Sequence, residues 1–192
     1  MAYSMTGLAE ADKVLNDYPF ALILGMQLDQ QYKMEHAFRG GHKLLERLGH
    51  LDTAKIAAMD PEEFKTIASQ TPAIHRFPAS MAVKVQAMAQ IIEAKYDGDV
   101  TRLWNEAGTG KELLKRLQEL PGFGAQKARI FVALLAKQSG VRPEGWEAAA
   151  GDYALAGYRS VADVVDADSL AKVREHKQEM KVAAKAAKQV SA

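Results

Sequence analysis

The chain has 192 residues, 48% of them apolar and 26% charged, with a net charge of +1 and no cysteine. This is the composition of a folded chain with a real core, not of a disordered one. The missing cysteine excludes a disulfide framework, a thiolate zinc site, a cysteine-ligated iron–sulfur cluster and a cysteine nucleophile.

The charge is unevenly spread. Residues 1–64 carry six Lys/Arg against ten Asp/Glu, a balance of −4. The segments 111–137 and 169–192 each carry six Lys/Arg against two acids, a balance of +4 apiece. Two basic surfaces on a neutral chain suit a polyanion, although charged helix faces are also the norm at any protein surface. The longest apolar runs, Phe20–Gly25 and Ile130–Ala136, fall far short of the roughly 20 residues that span a bilayer. The opening Met-Ala-Tyr-Ser-Met-Thr has no basic stretch before an apolar one, so a cytoplasmic location is expected.

Strand signals are nearly absent and helical ones are everywhere, which predicts an all-α fold. Pro19–Leu28 reads as a buried helix, apolar nearly all round. Lys33–Arg39 and Gly41–Leu48 follow, with Gly40-Gly41 read as a break between them. Asp52 caps a short helix to Ala58, and Asp60-Pro61-Glu62-Glu63 opens another to about Ser69. Pro78–Tyr96 has apolar residues at three- and four-residue spacing and ends at Asp97-Gly98-Asp99. Helices over Asp99–Ala107, Lys111–Leu120 and Ala125–Gln138 come next, the last two joined by a tight turn. Residues 139–167 read as irregular, with short helices near Glu144–Ala150 and Ser160–Val165. Asp168-Ser169 is expected to cap a final helix that frays after Lys185.

The sharpest local feature is Leu120-Pro121-Gly122-Phe123-Gly124 between two helices. Glycines allow positive φ and close backbone approach, and the free N–H groups of the helix that follows make an anion site suited to phosphate. Phe123 would anchor the turn, with Lys127 and Arg129 adding charge. An ordinary helix–helix connection is the plain alternative.

Helix–Leu-Pro-Gly-x-Gly–helix resembles the helix–hairpin–helix module, which grips the DNA backbone without reading sequence. In that module, carbonyls placed like those of Gln118, Leu120 and Phe123 hold a monovalent cation facing the phosphate. Upstream, Ile23-Leu24-Gly25-Met26-Gln27-Leu28-Asp29-Gln30-Gln31 resembles a helix end of the helix–hairpin–helix base-excision glycosylases. Arg76-Phe77-Pro78-Ala79-Ser80-Met81-Ala82 resembles a turn and helix start of endonuclease III relatives. On these residues the chain is similar to the helix–hairpin–helix (HhH-GPD) glycosylase superfamily, in a compact branch without the iron–sulfur cluster.

The resemblance implies a two-lobed helical fold. Residues 20–130 would form a barrel lobe that carries the hairpin region 111–138, and residues 1–19 with 131–192 would form the second lobe. It implies a monomer on duplex DNA, at the nucleoid, that everts a damaged or deaminated base and hydrolyses its glycosidic bond. Gln31 would enter the duplex, with Gln30 beside it. Gln126 stands where bifunctional members carry a lysine; an amide forms no Schiff base, so a monofunctional enzyme is expected. Lys127, about 100° further round the helix, would face phosphate rather than sugar.

The family's catalytic aspartate maps about twenty residues past Gly124, onto Glu144, with Asp152 and Asp163 as alternatives. Trp146 and Tyr153 are candidate base-stacking aromatics. His75 and Arg76 are placed to touch phosphate. The five histidines show no metal-ligand spacing, so no transition metal is expected. A relative that binds DNA without catalysis, having lost the acid, is the alternative reading, and a helical protein with no DNA role is a more remote one.

Overall fold

The structure, a computed structural model, describes residues 3–190; the first two and last two residues, and with them the end of the basic tail, lie outside it. Among the described residues the chain is all-helical, and the one β-type contact is an isolated bridge between Thr109 and Glu144. No described helix is long and apolar enough to cross a membrane.

The chain opens with α1 (Ala9–Asp17), a helix that no side-chain cap announces in the sequence. Asp12 of α1 accepts from the backbone N–H groups of Met5 and Thr6, and so folds the N-terminal segment onto the helix. α2 (Pro19–Leu28) runs through the centre, buried from Phe20 to Leu28. α3 (Met34–Phe38) and α4 (Gly40–Leu48) pack against it.

Gly40 and Gly41 are helical and do not break the chain. A Cβ on Gly41 would stand 2.6 Å from Ala21 Cβ, and one on Gly40 or Gly25 would come closer than 3.0 Å to Leu28 or Phe38. The pair is a close-packing device that seats α4 against α2, because a side chain there would force the helices apart.

α5 (Thr53–Ala58) and α6 (Pro61–Ser69) start at the expected caps. Asp52 accepts from Lys55 N at 3.1 Å, and Asp60 accepts from Glu62 N and Glu63 N, each at 3.0 Å. Both pack on α7 (Pro78–Tyr96). α8 (Val100–Asn105) leads to α9 (Gly110–Gln118), capped by Thr109. The hairpin turn joins α9 to α10 (Ala125–Leu134), which runs into a wider π-type turn at Leu135–Ser139.

α11 (Trp146–Ala150) and two short 3₁₀ turns, Gly151–Ala154 and Val161–Asp163, fill the irregular stretch. α12 (Ala167–Val190) is anchored by Leu170 and Val173, both buried. Its cap is Asp166, which accepts from Ser169 N while Ser169 Oγ accepts from Asp166 N. This reciprocal box displaces the cap expected at Asp168, because its donor and acceptor satisfy each other across one turn.

One apolar cluster runs from Met5 to Val173 and takes residues from both segments expected to form separate lobes. Phe123 lies in it, edge-on to Phe131 at 6.1 Å, so the hairpin turn is seated on the core.

Candidate nucleic-acid interface and its cleft

The hairpin turn is shaped by two glycines of different kind. Gly122 has φ +83°, the left-handed region that favours glycine. Gly124 has φ −74° and ψ 173°, a conformation any residue adopts, and a Cβ there would meet nothing within 4 Å. The fold thus needs a glycine at 122 and not at 124. Gly124 leaves the start of α10 bare, with its amides and positive dipole end open.

Gln27 fixes this turn. Its Nε2 donates to Pro121 O at 2.7 Å and to Lys84 O at 3.0 Å, which joins α2, α7 and the hairpin. The side chain is fully buried and its Oε1 has no partner. The hairpin motif does not single Gln27 out; its signal in the sequence is the polar interruption of an otherwise apolar helix, since a buried amide is kept where it bonds.

One cation lies against the turn. The Lys84 stem lies 3.7 Å from where a Gly122 Cβ would stand. Arg129 is exposed on α10. Gln118 is exposed at the end of α9, and Leu120 O accepts from Phe123 N at 3.1 Å to close the turn. Among the described residues no group of three or more His, Asp or Glu side chains is arranged to hold a metal ion.

Beside the hairpin lies a cleft of about 1360 Å³, walled by the 29–35 segment, the first turns of α10 and one face of α12. Six cations line it against two acids, Asp29 and Glu35. Gln31, Gln126 and Lys127 all reach this lining. Gln31 is exposed at φ +52°, at the rim, and Gln30 is exposed next to it with its Oε1 3.4 Å from Lys84 Nζ. Gln126 Nε2 donates to the Tyr153 hydroxyl at 2.9 Å.

Lys127 does not point out to a phosphate as expected. Its Nζ turns inward and donates to Gln27 O at 2.8 Å. Burial lowers its pKa to about 8, with Asp29 pulling it up and Lys84 pushing it down. Facing it is Asp29, whose pKa is raised by burial against the opposing pull of Lys177 and Lys127.

Both charges sit at the wrong helix end. Asp29 caps the C-terminus of α2, and Lys127 lies in the first turn of α10. Each meets a dipole end of its own sign. Across the cleft, Arg174 of α12 pairs with the buried Glu35 of α3 and ties α12 over the opening. Neither motif nor spacing singles out Asp29; its signal in the sequence is an acid that closes a helix against its dipole.

The three carboxylates expected to serve catalysis do not line this cleft. Glu144 is exposed, and its carbonyl accepts from Gly110 N at 2.7 Å. That is the far end of the nine-residue α9 from the hairpin, about 13 Å along the axis. Asp163 is structural. Its carboxylate accepts from Lys137 Nζ at 2.6 Å, Arg159 N at 2.9 Å and Ser160 N at 3.1 Å, so it is engaged in holding its own loop. Asp152 is exposed in the 3₁₀ turn beside Tyr153.

Trp146 packs at the start of α9, under the Arg142 guanidinium at 5.9 Å, and does not reach the cleft either. Tyr153 reaches it only through its bond to Gln126. His75 is buried and bonded to Gln30 O at 2.9 Å and to Phe77 N at 3.0 Å, so it braces the rim and is not open to phosphate. Arg76 does line the cleft. The expected constellation broke up because residues 139–167 pack on α9 and α10 without contributing a side chain to the cleft lining.

Comparison with family models, curated proteins and solved structures found no match to this chain.

Proposed function

We propose that this chain binds the backbone of duplex DNA through the 120–124 hairpin and hydrolyses the N-glycosidic bond of a damaged or deaminated base everted into the adjacent cleft. Gly124 carries the reading. It is a glycine that neither φ nor packing requires, at a helix start where a phosphate oxygen needs an unobstructed approach to backbone N–H groups. Lys84 supplies charge beside Gly122, and Arg129 is exposed further along α10. The cleft is large enough for a nucleotide and lined by cations that suit its phosphates. Gln126 offers no amine, and the Lys127 amine is engaged with Gln27 O, so hydrolysis proceeds without a Schiff base.

The test uses duplexes carrying uracil, alkylated or oxidised bases, followed by alkali to reveal abasic sites. Release of a base, with no covalent adduct trapped by borohydride, is the expected result. The placement of Glu144, Asp152 and Asp163 outside the cleft favours a second reading, a helix–hairpin–helix protein that binds duplex DNA without catalysis. Salt-sensitive duplex binding with no abasic product on any of these substrates would select it.

A further inference from the structure

The cleft needs a carboxylate if it performs hydrolysis, and the sequence-matched positions leave it without one. Asp29 is the acid that is there. It sits in the lining with Gln126 and Lys127 of α10 and Lys177 of α12. Among the described residues its carboxylate has no hydrogen-bond or ion-pair partner in the fold. No structural task accounts for it: it opposes the dipole of α2, and it is desolvated. Glu35, the other acid of the cleft, is already paired with Arg174. A partly buried acid in a cleft, unused by the fold and ringed by cations, marks a group held for chemistry.

We propose that Asp29 is the catalytic carboxylate of this cleft, placed to stabilise positive charge on the sugar of an everted nucleotide and to accept a proton from the attacking water. The inference rests on the glycosylase reading above. In the step, the water oxygen bonds to C1′ and the C1′–N bond breaks, its electron pair leaving with the base. The sugar ring carries oxocarbenium charge as the bond lengthens, and the Asp29 carboxylate faces that charge. The water proton passes to Asp29 and then to the departing base nitrogen. The products are a free base and an abasic site, and no further reactant is consumed. Burial opposes ionisation of Asp29 and raises its pKa, and Lys177 and Lys127 offset part of that effect. Gln126 is held by Tyr153 at the same wall and is placed to position the nucleotide.

The test does not depend on knowing the base. Two abasic duplexes are compared, one with a neutral tetrahydrofuran in place of the sugar and one with a pyrrolidine that carries a cation next to the C1′ position. The native chain is expected to bind the pyrrolidine duplex on the order of tenfold more tightly, since the cation mimics the transition state. Asp29→Asn should reduce that ratio to about one while tetrahydrofuran binding stays within about twofold, because only the charge is removed. Asp29→Glu should restore part of the ratio, and Glu144→Gln should leave it unchanged. Melting followed by circular dichroism confirms that each variant is folded.

A ratio that survives Asp29→Asn overturns the proposal, as does a native chain that binds both duplexes equally; the hairpin reading stands in either case. A native chain that binds neither duplex refutes the DNA reading itself, and the role of Asp29 falls with it.

Discussion

Replacing Gly124 with serine separates what the fold needs from what a ligand needs. The backbone there is extended and nothing lies within 4 Å of a built Cβ, so no strain or clash arises. Removing a glycine at a compatible position stabilises by about 0.4–1 kcal/mol through the unfolded chain. A serine at an N-cap, free to accept from the first-turn amides of α10, adds a few tenths of a kcal/mol over glycine. The sum is about 1 kcal/mol, a rise of about 2–4 °C in Tm for a chain of this length. Duplex affinity should move the other way, falling at least about tenfold, or 1.4 kcal/mol, because the side chain occupies the phosphate approach. Thermal melting and fluorescence anisotropy with a labelled duplex at fixed salt measure the two effects. A serine variant that is more stable and binds DNA as well as the native chain would refute the assignment of the hairpin to phosphate. A variant that is less stable would refute the conformational reasoning. Gly122→Ala is the contrast: with φ at +83° and its nearest neighbours at 3.6 and 3.7 Å, it should lose about 1–2 kcal/mol from backbone strain alone.

Three further outcomes are expected. Gln27→Leu should destabilise by about 2–3 kcal/mol in urea unfolding, since the Lys84 and Pro121 carbonyls lose their donor, and it should weaken duplex binding by loosening the turn. Asp163→Ala should lower stability by about 3–5 kcal/mol by removing the charge partner of Lys137 and the acceptor of Arg159 N and Ser160 N, yet leave duplex affinity of the folded protein unchanged; a loss of affinity would return Asp163 to the site. Asp29→Asn should stabilise the protein at neutral pH. Burial raises the Asp29 pKa in the folded state, so the native chain loses stability as pH climbs through that value, and the advantage of the variant should vanish in acid, where both forms are neutral. Melting curves from pH 3 to 8 read this directly, and a variant advantage that grows in acid would contradict it.

Rules that act over a few residues set the local structure. The limits of Pro19–Leu28 and Pro78–Tyr96, and the caps at Asp52 and Asp60, follow from proline, cap and periodicity rules that act over a few residues. The hairpin is of the same kind, because its glycines and the helix behind them are contiguous. Other features turned on residues distant in the chain. Gly40 and Gly41 look like a break until Ala21 and Leu28 are seen against them. α1 is short and has no side-chain cap, and it gains its place through the contacts of Asp12 and Asn16 with the N-terminal segment. The carboxylate of the cleft is the sharpest case. Counting twenty residues from Gly124 leads to Glu144, but the chain from Gly140 to Gly145 carries that residue to the start of α9. Asp29, about a hundred positions before Lys127, comes to face it because Gln27 clamps the end of α2 against the hairpin. Spacing along a chain places groups that share a helix or a turn; groups that meet across a cleft are placed by packing, and here packing chose Asp29.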